Sequence, residues 1–583
     1  MFEHQRAKLL FPLLLFLACA VPGTAQRFDG VWRAQEDFGP RLVGELRIEL
    51  TEGEAGTAQI GGRQAKLERT VTGIAAEFGE GSSFRGDFTE DGTIRGVWIQ
   101  ATGVSFTYPH AAPLVLEKNG KDRWRGQVPV VDDAITFFLK VETDDEGKQH
   151  AFLRNPERNL GIFLRIATLQ HKNGKVALLS EDGSERMTGR YDLGNEVLSL
   201  YSDQAGQTFD FYRMADVEGS DFAAALGTGR GTDRAPEELG DGWEVAKAAD
   251  SLDVEPLDTL ISELRADVAD SVFSRYVHSL QIAHRGRLVV DEYFYGNHEA
   301  TPHDTRSAGK SVTSVVAGAA KLQGADLSLD TDVHAVFGRE ADDPPLLLRH
   351  LLTMSPGWAC DDDDGDSPGN EGTMQYQTEQ PDWWAYSLDL ERIAEPGAND
   401  VYCSGSINLA YGVVSKVAGR PLPELLRDLV AEPLEIDTFF MNLDPLERGY
   451  GGGGLRMRPR DLLKFGQLMV DDGVWKGRRI LSSEWVKESL RPHSSLNVPD
   501  DYGLAWWRIA YDVDGREIQA YYASGNGGQL IFAVPALELS VLFTAGNYNN
   551  FGTWRSYRDE LMPDYILPAV LGAPGTAEES SAP

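Results

Sequence analysis

The pattern of apolar residues changes once along this 583-residue chain, near residue 218, and that change constrains the fold more than any other feature. Before it, "GELRIELT", "RGVWIQATGVSFTY", "DAITFFLKVET" and "VLSLYSDQ" alternate apolar and polar residues between Gly, Asp and Asn turns. That period of two marks half-buried strands. After it come a helix near 252–270, a hairpin "LQIAHRGRLVVDEYFYG" turning at Arg285-Gly286, two further strand segments and a closing helix, "WRSYRDELMPDYILPAVLG". Helices at both ends with strand hairpins between them predict an α+β domain, an antiparallel sheet covered by helices, preceded by an all-β tandem module. The length also requires more than one core.

The β-rich part repeats. "FRGDFTEDGTIRGVWIQATGVSFTY" (84–108) aligns with "MTGRYDLGNEVLSLYSDQAGQTFDFY" (187–212), placing Trp98 with Tyr201, while Trp32 and Trp124 each open a copy. Two similar units are expected, 26–117 and 118–218, as small barrels or one sandwich with a stabilising or substrate-gating role. A Gly-, Asp- and Pro-rich stretch at 219–242 reads as a linker. The α+β domain then spans 243–573, and "PGTAEESSAP" (574–583) reads as a disordered tail.

At the N-terminus, Arg6 and Lys8 precede "LLFPLLLFLACAV" and "PGTAQ". A charged region, a short apolar run and small residues at Gly23 and Ala25 predict a signal peptide over 1–25 and an exported protein, periplasmic or secreted. The run is shorter than the ~20 residues needed to cross a bilayer, so no membrane span is expected. Lipidation at Cys19 is disfavoured by Phe16 three positions before it. Removing Cys19 with the leader makes Cys360 and Cys403 a candidate disulfide in an oxidising compartment, two free buried thiols being the alternative. The formal net charge of −35 repels phosphate backbones, so nucleic acid is not an expected partner.

The chemistry concentrates in "DTRSAGKSVTS" (304–314). A phosphate-binding loop would need a Gly where Asp304 stands and a strand leading in, and it has neither. The remaining reading is Ser307 at the start of a helix over about 307–322, with Lys310 one turn further on the same face. "SAGKSVTSVVAGAAKL" is small and apolar on nearly every side, so the helix should be buried. Burial is expected to lower the lysine pKa enough for it to take the serine proton. A single S-x-x-K is common, so its weight depends on what accompanies it.

Two further elements accompany it: "VYCSGSINLAYGVVSKVAG", opening on Tyr402-Cys403-Ser404 before a helix, and "ASGNGGQ", Ala523 to Gln529, entering a strand. In this order the three resemble the motifs of the serine β-lactamase-like family, which includes class C β-lactamases, D-Ala-D-Ala carboxypeptidases, esterases and nylon-oligomer hydrolases. "VVDEYFYG", "LLTMSPG" and "LRMRPRDLLKFGQLMVDDG" add smaller echoes, so the resemblance covers roughly 240–573. It implies Ser307 as acylated nucleophile, Lys310 as its proton partner and Tyr402 as second acid/base, with the choice of first base left open. It implies an oxyanion site from the backbone N–H groups of Ser307 and Asn526, and substrate contacts from Ser404, Ser524 and Gly525. Two positions depart from the family. Ser404 replaces an Asn expected to touch Lys310, and Ala523 replaces a Lys or His.

The expected function is therefore an exported serine hydrolase cleaving an ester or amide in a small-molecule or peptide acyl substrate, with no cofactor. The alternatives are β-lactamase or D-Ala-D-Ala carboxypeptidase activity, or a catalytically weak binding protein on the same scaffold. "CDDDDGDSPGNEG" (360–372) lacks EF-hand spacing and reads as a solvated acidic loop, so no metal is expected. The scattered histidines, His284 and His303 among them, read as structural, and "GGGG" (451–454) as a flexible turn.

Overall fold

The computed structural model describes residues 28–573 except 41, 52–53, 107, 158–164, 204, 341 and 497–498. The expected signal peptide and tail lie outside the described residues. Contacts divide the chain into two compact units, one drawn from 1–33, 139–153 and 164–214, the other from 34–138, 154–163 and 215–583.

The period-two segments form strands, as their alternation requires, and the strands close into two rings. Gly30–Gly39 belongs to a closed eight-stranded barrel with seven strands from Asp133–Thr143 to Gln207–Arg213. Trp32 pairs with Arg213 and lies under its guanidinium at 4.4 Å. Strands from Glu45–Thr51 to Arg123–Gln127 make the other ring, in which Arg123–Gln127 pairs with both Glu45–Thr51 and His110–Lys118. The opening strand thus sits in the ring made by later residues, not with the strands that follow it. Alternation specifies which face of a strand is buried and leaves its partner to tertiary packing.

His110–Lys118 has a second role. Its far end pairs with Arg123–Gln127, whereas His110 and Ala111 pair with Asn442 and Met441. The ladder continues through Leu455–Met457 to His303–Asp304, with Thr305 and Arg306 between it and Ser307. In the same unit, Arg427 donates to the Gly96 carbonyl at 3.0 Å. This β-ring therefore shares a sheet with the segment leading to the candidate nucleophile.

A second sheet has eight strands in the order Glu244–Val245, Arg287–Tyr293, Val277–His284, Leu539–Ala545, Gln529–Val534, Arg516–Gly525, Trp507–Val513 and Asp501–Tyr502. The hairpin turns at Arg285 and Gly286, both in the left-handed region with φ of 52° and 75°. The helix Pro459–Val470 packs on Leu539–Ala545 and Gln529–Val534. Near 252–270 the helix is Val254–Arg265, started by the Asp253 side chain, and it buries Leu257, Leu260, Ile261 and Leu264. The stretch read as a linker is packed: Phe222, Ala223 and Ala224 are buried, and Ala223 bridges to Val268. No helix among the described residues is long and apolar enough to cross a membrane.

Candidate active site

Ser307 lies in the 3-10 turn Arg306–Ala308, which runs directly into the helix Gly309–Leu322. Gly309 through Ala320 are all buried, as the small apolar sequence predicts. Arg306 adopts a left-handed φ of 47°, a conformation that costs a non-glycine residue about 1 kcal/mol or more. Its surroundings hold it there. The Arg306 N–H donates to Asp304 Oδ1 at 2.9 Å, and the guanidinium lies 4.7 Å over the Tyr548 ring.

Lys310 is buried, and its Nζ donates to Ser307 Oγ at 2.9 Å and to the Gly452 carbonyl at 2.6 Å. The same nitrogen lies 5.1 Å over the Tyr402 ring. Its electrostatics correct the expectation drawn from burial. Desolvation is the largest single influence and pulls the lysine pKa down, but Tyr402, Glu371 and Asp362 together outweigh it. The pKa lies above its ordinary value, so the resting side chain is an ammonium that donates to Ser307 rather than a free base.

Tyr402 stacks on Trp507 with ring centroids 6.1 Å apart and planes at 14°. Trp507 in turn stacks on Tyr522, its register partner in the neighbouring strand. Cys403, directly after Tyr402, is joined to Cys360 by a disulfide. The bond anchors one end of the acidic loop beside Tyr402, and only part of that loop is solvated. Asp363, Asp364 and Asp366 are exposed. Asp362 instead accepts from the Ser404 N–H at 2.7 Å and the Glu371 N–H at 2.9 Å, and its own N–H donates to the Tyr402 carbonyl at 2.9 Å. Glu371 accepts the buried Tyr450 hydroxyl.

The glycine run is part of the site, not a flexible turn. Gly451, Gly452 and Gly453 are buried. Gly451 accepts from Thr313 Oγ1 at 2.8 Å, and its N–H donates to Asn408 Oδ1 at 3.1 Å. Gly453 has φ of 148°, and a Cβ there would stand 2.9 Å from the Arg306 carbonyl oxygen. Only glycine lets the backbone approach the turn bearing Ser307 so closely.

The third element ends the strand Arg516–Gly525, with Ala523, Ser524 and Gly525 opposite Ile531, Leu530 and Gln529. Ala523 is fully buried, in the apolar core against which Tyr402 and Trp507 pack. A Cβ on Gly525 would stand 2.1 Å from the Thr305 carbonyl oxygen and 3.1 Å from the Ala308 nitrogen, so this strand end abuts the Ser307 turn. Asn526 follows and is locked by Asn549: its Nδ2 donates to Asn549 Oδ1 at 2.6 Å, and its Oδ1 accepts from the Asn549 N–H at 2.7 Å. The structure thus brings Ser307, Lys310 and Tyr402 together, ties the Ser404 N–H to Asp362, and lays Gly525 against the same turn. His284 bonds Ser251, and His303 bonds His278 at 2.9 Å in a buried pair. Motif reading missed Asp362, Glu371, Gly452 and Asn549. A cysteine beside an Asp run was the available signal for the first two.

Residues 269–555 match the family model described as Beta-lactamase. A 117-residue segment is 28% identical to a 6-aminohexanoate-dimer hydrolase of Paenarthrobacter ureafaciens, covering 18% of this chain and 30% of that relative's length. Among solved structures, a Bacillus anthracis protein assigned as a 6-aminohexanoate-dimer hydrolase aligns at 18% identity and TM-score 0.43, over 57% of this chain and 85% of that one. A penicillin-binding protein homologue from Caulobacter crescentus aligns at 15% identity and TM-score 0.40, over 50% and 91%. Over residues 269–555, just under half of its length, this chain is therefore similar to the serine β-lactamase-like family of hydrolases.

Proposed function

We propose that this protein is an exported serine hydrolase that cleaves an ester or amide through an acyl-enzyme on Ser307. The observation that carries the reading is the contact of Lys310 Nζ with Ser307 Oγ at 2.9 Å, beneath the Tyr402 ring. Because Lys310 is an ammonium, Tyr402 takes the role of first base. With Tyr402 as the phenolate beside the Lys310 ammonium, Ser307 Oγ attacks the acyl carbon while its proton passes to the Tyr402 oxygen, and the Lys310 charge stabilises the oxygens on both sides of that transfer. Collapse of the tetrahedral intermediate expels the alcohol or amine, which takes the proton back from Tyr402. Water then repeats the attack on the acyl-enzyme. The backbone N–H groups of Ser307 and Asn526 serve as oxyanion donors; the abutting Gly525 and the Asn549 lock on Asn526 support this assignment.

The buried Ala523 narrows the substrate class. A cation at this position would offer a charge-assisted hydrogen bond to a substrate carboxylate, worth about 1.5–3 kcal/mol. Without it, carboxylate-bearing substrates such as β-lactams should react roughly ten- to hundredfold less well. The test is fluorophosphonate labelling together with turnover of p-nitrophenyl butyrate and nitrocefin. The unmutated protein should label and should prefer the ester, and Ser307→Ala should lose labelling and turnover by several orders of magnitude. Full activity in Ser307→Ala refutes the nucleophile, and efficient nitrocefin hydrolysis refutes the substrate class.

A further inference from the structure

The acidic loop reaches the candidate site by three separate bridges, all on residues 402–404. One is covalent, the Cys360–Cys403 disulfide. The other two come from Asp362: its N–H donates to the Tyr402 carbonyl and its Oδ2 accepts from the Ser404 N–H, clipping the chain on both sides of Cys403. The free end of this carboxyl is also fixed, since Oδ1 accepts from the Glu371 N–H, while Glu371 is held by Tyr450. Both carboxylates act on Lys310. The resemblance implies an amide side chain touching Lys310 at position 404, where this chain has only a serine. Asp362, from a different loop, instead fixes the backbone of this segment on either side of Cys403.

We propose that Asp362 is a positioning residue of this site, holding Tyr402 in register over Lys310 through its bonds to the Tyr402 carbonyl and the Ser404 N–H. This rests on the acyl-enzyme reading. The groups facing Asp362 are Glu371 and Lys310, with Tyr450 and Tyr402 beyond them and Asp361 and Asp363 flanking it in the loop. Burial first, then Glu371, pushes the Asp362 pKa up to about 6 against the opposing pull of Lys310. Below that pH the carboxylate is neutralised and accepts the Ser404 N–H less strongly, so the register of Tyr402 loosens while Lys310 stays protonated. A side chain that merely braced the loop would impose no such limb on turnover.

The experiment uses the full chain with Asp362→Asn and Asp362→Glu. It measures kcat and KM for p-nitrophenyl butyrate from pH 5 to 9, fluorophosphonate labelling of Ser307, and the thermal midpoint. Asn keeps an acceptor for one N–H but carries no charge. It should lower kcat roughly ten- to hundredfold, the scale of a charge-assisted hydrogen bond, with KM within about twofold. It should also remove the acid limb of kcat near pH 6, while Glu restores part of the rate. Wild-type kcat and an unchanged acid limb in Asp362→Asn overturn the proposal. So does an equal loss in both variants that tracks a lowered thermal midpoint, since that is bracing alone. If the unmutated protein neither labels at Ser307 nor turns over the ester, the acyl-enzyme reading itself falls and takes the proposal with it. Normal wild-type labelling with an indifferent Asp362 refutes the positioning role alone.

Discussion

The acidic loop at 360–372 and the glycine run at 451–454 are built from residues that usually mark solvent and turns, yet each supplies a wall of the candidate site by a different physical route. The glycine run works by what it lacks. With no side chains, its backbone lies against the Arg306–Ala308 turn and offers the Gly452 carbonyl to Lys310. The acidic loop works by what it carries, tied down by a disulfide and by one inward-turned carboxylate among several exposed ones. Composition describes both as polar connections. Steric clearance in one and charge with covalent constraint in the other are what distinguish them.

The sharpest way to break this contrast is to cut the covalent tie. The disulfide closes a loop with a sequence separation of 43, for which chain entropy predicts about 4 kcal/mol of stabilisation. Replacing Cys360 and Cys403 together with Ser should lower stability on that scale in denaturant titration, with no counterpart in the glycine run. A double variant as stable as the parent would show that hydrogen bonds alone hold the loop.

Steric clearance is tested by Gly453→Ala, whose Cβ would press on the Arg306 backbone at 2.9 Å. Displacing the Ser307 turn by a fraction of an ångström to an ångström should lower kcat by about a hundredfold. Activity within a few-fold of the parent would mean the approach is not needed.

A smaller effect concerns pH and stability. The folded pKa of Asp362, about 6, lies above the ordinary 3.8, so between these values the native state binds the proton more tightly than the unfolded chain. Stability from this group therefore falls as pH rises through that window and stays lower above it. Asp362→Asn removes that fall, so the variant's thermal midpoint should gain on the parent's from pH 4 to pH 6 and then level off. A difference between the two proteins that does not vary with pH would contradict the sign. The smallest effect belongs to the exposed rim. Asp363→Asn should leave kcat unchanged and stability within about 0.5 kcal/mol, and a larger change would mean the outer carboxylates are not solvated.

The chain's local pattern determined much of this. Alternation fixes the strands of the β-rich part, the small apolar run fixes the buried helix after Ser307, and the i, i+3 spacing of Ser307 and Lys310 brings hydroxyl and amine together on one turn. The order of the three motifs points to the family, and the cysteine count to the Cys360–Cys403 pair. These are local or covalent properties, readable without knowing what packs where.

The remaining features depend on which segments meet in the folded chain. Partner choice sends Gly30–Gly39 to strands that begin only at Asp133 and at Gln207, and splits His110–Lys118 between its own ring and Phe440–Asn442. The aligned hairpins place Trp98 in a core and leave Tyr201 exposed, because which side of a hairpin meets the core depends on how its sheet closes. The protonation of Lys310 follows the same logic. Burial alone, which the helix pattern does reveal, lowers its pKa; the opposing influences come from positions 362, 371 and 402, 52 to 92 residues away along the chain. Desolvation can be read from a residue's own surroundings in sequence, whereas Coulomb interactions depend on distances that exist only once the chain has folded.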